Sequence, residues 1–302
     1  MTHSAGSLPL SIVVVVYDME RELPRTLRSL APGFQRDIDT TDYEVVVVDN
    51  GSPRPLDESL LAPFPGRLRI ERLDPASPSP ARAANRGVAM AEGELIGLLI
   101  DGARMASPGL LAHALLARRL TERAVIATLG WHLGPVVHTR AAEVGYDQAT
   151  EDRLLAETQW EADGYRLFAI SELAASSSRG WFGPLGESNA LFLTRDMWAD
   201  LGGLDEQFTT PGGGKLNHDL YRRACELEGA RLIVLLGEGT FHQIHGGATT
   251  SGRFSKGDAE YERVRGELYT PPTIEPLFLG KMPPHAFPHL EHSIKWAVER
   301  RG

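Results

Sequence analysis

The stretches SIVVVVY (11–17) and YEVVVVD (43–49) constrain this chain more than any other feature, because neither alternates apolar with polar residues. A strand with one face in water alternates, whereas a strand covered on both faces by helices reads as a continuous apolar run rich in Val and Ile. Apolar runs recur at RLRIERL (67–73), ELIGLLID (94–101) and AVIATLG (124–130). Segments with helical spacing lie at Glu20–Leu30, Pro80–Ala91 and Pro108–Leu120, the last opened by Ser107-Pro108 as N-cap and first helical residue. This alternation predicts an α/β fold around a mostly parallel sheet. Such sheets bind ligands at the carboxyl ends of their strands, which singles out Tyr17-Asp18, Asp49-Asn50 and Asp101.

At 302 residues the chain is near the upper size for one hydrophobic core. We divide it into a first half at 1–131, a second half at 132–252 and a tail at 253–302. Residues 132–180 are polar and mixed, with a helix expected around Glu151–Trp160 and a Ser-rich turn at 176–180, and read as an inserted excursion or flexible lid. Order returns with ESNALFLT (187–194, strand), RDMWADLGG (195–203, short helix), KLNHDLYRRACELEG (215–229, helix) and RLIVLLG (231–237, strand). The tail carries Pro pairs at 271 and 283, and reads as an extended wrap before a last helix near His292–Arg300.

Charge narrows the partners. The net charge is −9 and no Lys/Arg block occurs, so general nucleic-acid binding is not expected. The single cysteine, Cys225, excludes an internal disulfide and suits a reducing compartment. No apolar run approaches the ~20 residues of a membrane span. The start MTHSAGSLPL lacks the basic residues and apolar length of a signal peptide. A cytoplasmic protein is the expectation.

The segments SIVVVVYDMERELPRTLRSL, YEVVVVDNGS and ARAANRGVAMAEGELIGLLIDGA, in this order and at these distances, resemble the nucleotide-sugar-binding half of the family 2 inverting glycosyltransferases of GT-A fold. The likeness covers roughly residues 9–130 and continues through ESNALFLTRDMWADLGGLDEQF, similar to the family's strand, helix and glycine turn at the start of the acceptor region. It implies a GT-A fold, a Rossmann-like sheet with an acceptor-side second half, and transfer of a sugar from a nucleoside diphosphate donor to a hydroxyl acceptor. That acceptor is a glycan, a lipid-linked molecule or a small molecule. The resemblance places the nucleoside against Asp49 and Asn50, and Tyr17, at the carboxyl end of the first strand, is a further candidate on that edge. Asn85, Arg86 and Gly87 match the family's helix start, where Ala84 replaces an arginine that Arg82 stands near enough to substitute. A guanidinium fork suits phosphate oxygens, although Arg82 and Arg86 also fit a solvated helix face.

Asp101 matches the first acid of the family's D-x-D, and Ala103 replaces the second. Mn²⁺ or Mg²⁺ is commonly held by carboxylates together with substrate phosphates, so another ligand is needed or the ion is abandoned. GEGTFHQIHGG (237–247) offers His242 and His245 in a glycine-flanked loop, and imidazole suits a borderline ion. Each singly could instead pack inward or cap a turn. The resemblance places the catalytic base in PGGGKLNHDLYRRA, where Asp219 is the only carboxylate, with a helix N-terminal charge as the plainer role. Glu187, in GPLGESNALF, is the alternative base or a sugar-hydroxyl partner. Trp181 and Phe182 are either a platform for a sugar ring or core.

Two other classes stay open. A GT-A-fold protein could bind nucleotide sugars without transferring them, given Ala103 and the missing Glu-Asp pair. A nucleotidyltransferase is disfavoured, because no G-x-G-x-x-G or P-loop follows the first strand.

Overall fold

The computed structural model describes residues 8–57, 59, 61, 63–246 and 255–299. Ten strands join one sheet, with the main path ordered β10-β9-β6-β8-β4-β1-β2-β3. β1 (Leu8–Val16) is central and pairs parallel with β2 (Tyr43–Asp49) and with β4 (Gly93–Leu99); β3 (Arg67–Arg72) extends the sheet beside β2. β6 (Ala124–Leu133), β9 (Arg231–His242) and β10 (Leu277–Gly280) form a second parallel group. β8 (Leu191–Thr194) lies antiparallel between the groups, against β4 and β6. One reversed strand therefore joins the halves, and the carboxyl ends of β1, β2, β4, β6 and β9 share one edge. Two three-residue strands finish that edge: β5 (Arg104–Ala106) on β9 and β7 (Ser171–Leu173) on β6.

The valine runs behave as their lack of alternation predicts. Ile12 to Val16 and Val45 to Val48 are buried, covered by helices on both faces. α1 (Leu23–Leu30) turns Leu23, Leu27 and Leu30 inward. α2 (Ala81–Met90) packs through Ala81, Ala83, Ala84 and Gly87, and a Cβ on Gly87 would stand 2.3 Å from Val13 Cγ1. The helix approaches the sheet that closely only because Gly87 has no side chain. α3 (Leu110–Arg118) begins later than expected, because Ser107 Oγ is spent on Glu238 Oε2 at 2.5 Å.

Residues 132–180 are not a lid. α4 (Gln148–Thr158) and 3-10 turns at His138–Val144, Gly164–Ile170 and Ala175–Ser177 pack Leu155, Trp160, Leu167 and Phe168 into the core. Trp181 joins them fully buried, its Nε1 donating to Leu235 O at 3.2 Å, so it is core and not a sugar platform. β9 also outruns the expected end at 237: its register against β6 shifts between Ala127 and Leu129, and the strand then continues to His242. Bulges of this kind re-aim the residues beyond them. α5 (Arg195–Leu201) and α6 (Leu216–Glu226) match the expected helices. The tail adds α7 (Ser255–Arg265), edge strand β10 and α8 (Phe287–Glu299). Gly247 and Arg300 lie outside the described residues.

Candidate functional site

The sheet's carboxyl edge brings Asp101, His242 and His245 together from positions 141 and 144 residues apart in the chain. Asp101 Oδ1 accepts from Ala103 N at 2.9 Å, a local turn that leaves Oδ2 facing the two imidazoles. His242 Nε2 lies 3.0 Å from Asp101 Oδ2 and 3.1 Å from His245 Nε2; His245 Nε2 lies 3.5 Å from the same Oδ2. Three basic atoms this close need a proton or a cation among them. Ligand atoms on an ion with bonds of about 2.1 Å stand roughly 3.0 to 3.4 Å apart at angles of about 90 to 109°. The observed triangle has that size.

The turn after Asp101 answers the question raised by Ala103. Ala103 is fully buried in the apolar cluster beneath β1 and β4, so a carboxylate there would enter the core and not the site. A Cβ on Gly102 would stand 2.3 Å from Val16 Cγ1 and 3.0 Å from Val15 O. Thr26 Oγ1 donates to Gly102 O at 2.6 Å, and Gln243 N donates to Ala103 O at 2.9 Å. The turn is therefore welded both to α1 and to the histidine segment.

Protonation follows from burial and neighbours. Burial works against the Asp101 charge, yet His242 and His245 outweigh it and hold the carboxyl well below the ordinary carboxylate range. Burial, then the Arg104 charge, pushes His242 down to about 3, so its imidazole is neutral and offers a lone pair. For His245, burial opposes the charge but Asp101 raises the group above its ordinary value.

Behind this corner stands a second histidine group that sequence reasoning missed. His132, His138 and His242 are all buried, with ring centroids 4.4 to 5.3 Å apart. His132 Nδ1 accepts from His138 N at 2.7 Å, and His138 Nε2 lies 3.0 Å from Leu133 O. Burial pushes His138 to about 4 and His132 well below its ordinary value, so both are neutral. The Nδ1 atoms of His138 and His242 are buried without a hydrogen-bond partner.

The histidine loop is held by Glu151, which accepts from Ile244 N at 2.7 Å and pairs with Arg21 at 3.1 Å. Burial pushes the Glu151 carboxyl up to about 7 against the pull of that backbone bond and of Arg21. Nothing in its spacing marked it in the sequence, since its partners lie 93 and 130 residues away.

The two carboxylates considered as bases differ in their surroundings. Asp219 is buried, with Oδ1 accepting from Arg265 Nε at 2.5 Å and Oδ2 from Arg223 Nε and Arg265 Nη2, each at 2.8 Å. Both oxygens are committed to a structural ion pair, one arm of which comes from α7. Glu187 accepts from Asn217 Nδ2 at 2.8 Å and stands 3.3 Å from His218 Nδ1. Burial would raise its carboxyl, but His218, Asn217 and Arg104 hold it below the ordinary value, so it is ionised.

On the nucleoside side, Tyr17 is 48% exposed at the end of β1. Asp49 is held in place: Oδ1 accepts from Ser52 N and Oγ at 2.8 and 2.6 Å, and Oδ2 pairs with Arg72 at 3.2 Å. Asn50 donates to Ser77 O and Ser79 O, and its Oδ1 is buried without a partner. Asn85 is a strut between halves, bonded to Leu204 N and O at 2.8 and 3.0 Å. Arg86 is spent in a surface fork on Glu71 at 2.5 and 2.8 Å, and Arg82 is exposed on the same helix. The structure thus unites Asp101, His242 and His245, and leaves Asn85, Arg86 and Asp219 in structural contacts.

Residues 11–112 match the family model described as Glycosyl transferase family 2. No curated protein matches the chain. Among solved structures, S. aureus TarS 1-349 in complex with UDP has a TM-score of 0.53 at 15% identity, over 84% of this chain and 66% of that one. The same protein in complex with UDP-GlcNAc gives 0.55 at 16% identity, over 84% and 67%. TarS 1-349 alone gives 0.55 at 14% identity, over 97% and 80%. The chain spans slightly under two thirds of the UDP complex's length, and at these identities the likeness establishes the fold.

Proposed function

We propose that this chain, whose residues 11–112 match the model of glycosyl transferase family 2 and whose fold is of the GT-A type, moves a sugar from a nucleoside diphosphate donor to an acceptor hydroxyl with inversion. The observation that carries the reading is the triangle of Asp101 Oδ2, His242 Nε2 and His245 Nε2. These atoms fit a divalent ion such as Mn²⁺ or Mg²⁺, and imidazole in place of a second acid favours Mn²⁺. Such an ion neutralises a leaving diphosphate.

The chain's own residues would do the rest. Glu187, ionised and braced by Asn217, takes the proton of the acceptor hydroxyl at a carboxylate oxygen. The acceptor oxygen bonds to the anomeric carbon as the bond from that carbon to the phosphate oxygen breaks, and the diphosphate departs with the electron pair. Tyr17, exposed at the end of β1, faces the nucleoside, and Asn50 braces the neighbouring turn through Ser77 O and Ser79 O. UDP is the first nucleotide to try, since TarS was solved with UDP and UDP-GlcNAc. The lone buried Cys225 fits work in the reducing cytoplasm.

The test is release of free nucleotide from UDP-, GDP- and dTDP-sugars with Mn²⁺, for wild type, Asp101→Asn and His245→Ala. Turnover that falls at least about a hundredfold in both variants supports the reading. A chain that binds and cleaves none of these donors is not a glycosyltransferase of this class; one that binds them without turnover is a binding protein.

A further inference from the structure

Three residues beyond Asp101 the chain places a basic residue in a most unusual position. Arg104 opens β5 directly opposite His242 on β9, and His242 is in turn opposite His132 on β6. It is 8% exposed, its Nε and Nη1 are buried without a hydrogen-bond partner, and no carboxylate lies within 4.0 Å of it among the described residues. Buried guanidinium groups are normally paired. This one instead feels the charges of Asp101 and Glu187 without pairing with either.

A buried cation with unused donors, flanked by two acids that do not reach it, is a receptor prepared for an anion. We propose that Arg104 binds the diphosphate of the donor directly, so that this site holds its anion without depending wholly on a metal ion. The inference rests on the glycosyltransferase reading and deepens it. Nε and Nη1 donate from different edges of the guanidinium plane, so each has a hydrogen bond to give to a phosphate oxygen.

The test is calorimetric titration of UDP and of inorganic pyrophosphate into the full chain in EDTA and again in Mn²⁺, for wild type, Arg104→Met and Arg104→Lys. Melting temperatures check folding, and Arg104→Gln serves if the Met variant is unstable. We expect wild type to bind both anions in EDTA, Arg104→Met to weaken both about tenfold or more, and Arg104→Lys to recover part of the loss. Unchanged binding by Arg104→Met in EDTA overturns the inference while leaving the glycosyltransferase reading intact. Wild-type binding seen only with Mn²⁺ overturns it too. No binding by wild type under either condition overturns both.

Discussion

Replacing Asp219 separates a structural anchor from a catalytic base. Its carboxylate is 1% exposed and takes three charge-assisted bonds at 2.5 to 2.8 Å from Arg223 and Arg265, which are themselves about a quarter exposed. Removing one partner of a fully buried pair costs about 3 to 5 kcal/mol. The exposure of the two arginines lets water take over part of their charge, which brings the expected loss for Asp219→Ala to about 2 to 4 kcal/mol. For a chain of this size each 1 kcal/mol moves the melting temperature by roughly 2 to 4 °C, so a drop of about 4 to 16 °C is expected. Calorimetric melting reads the stability, and nucleotide release at a temperature well below the transition reads the chemistry. Asp219→Ala should keep turnover within about tenfold of wild type, whereas Glu187→Gln should melt normally and lose about a hundredfold or more. An Asp219→Ala protein that melts like wild type but has lost turnover by that larger factor refutes this assignment and returns the base to Asp219.

Glu151→Gln should remove a pH dependence of stability. The folded carboxyl is pushed up to about 7 from 4.5, so the native state binds the extra proton, and the group's contribution is full below 4.5 and lost as pH rises through about 7. That shift is worth up to about 3 kcal/mol, and urea melts at pH 5 and pH 8 should show the variant gaining on wild type between them; a constant difference would contradict a buried carboxyl. Gly102→Val should cost about 1 to 3 kcal/mol and displace Asp101, because its Cβ would meet Val16 Cγ1 at 2.3 Å. Unaltered melting and Mn²⁺ affinity in that variant would show that the turn is not welded in place.

What could be read from the chain and what could not divide along a physical line. β1 and β2 were legible because valine runs buried on both faces leave no other pattern. Asp101, His242 and His245 were legible because each follows a strand that must end on the same edge of a parallel sheet. β5 and β7 are three residues each, too short to show a period, and they exist through pairing with β9 and β6. The continuation of β9 past Gly237 was hidden because a positive-φ glycine ordinarily marks an end, and here it sits within a change of register. His132 and His138 gave no local sign of burial. The ion pair of Asp219 was not visible because one of its partners comes from α7, 46 residues on. That of Arg86 was not visible because its partner Glu71 stands on β3, where spacing along α2 says nothing.

The most direct test of the divalent site is anomalous diffraction at the manganese edge from crystals soaked with Mn²⁺ and UDP. The reading predicts a single strong peak bonded to Asp101 Oδ2, His242 Nε2 and His245 Nε2, with the diphosphate completing its coordination. UDP bound at the carboxyl edge of the sheet with no manganese at those three atoms would contradict it.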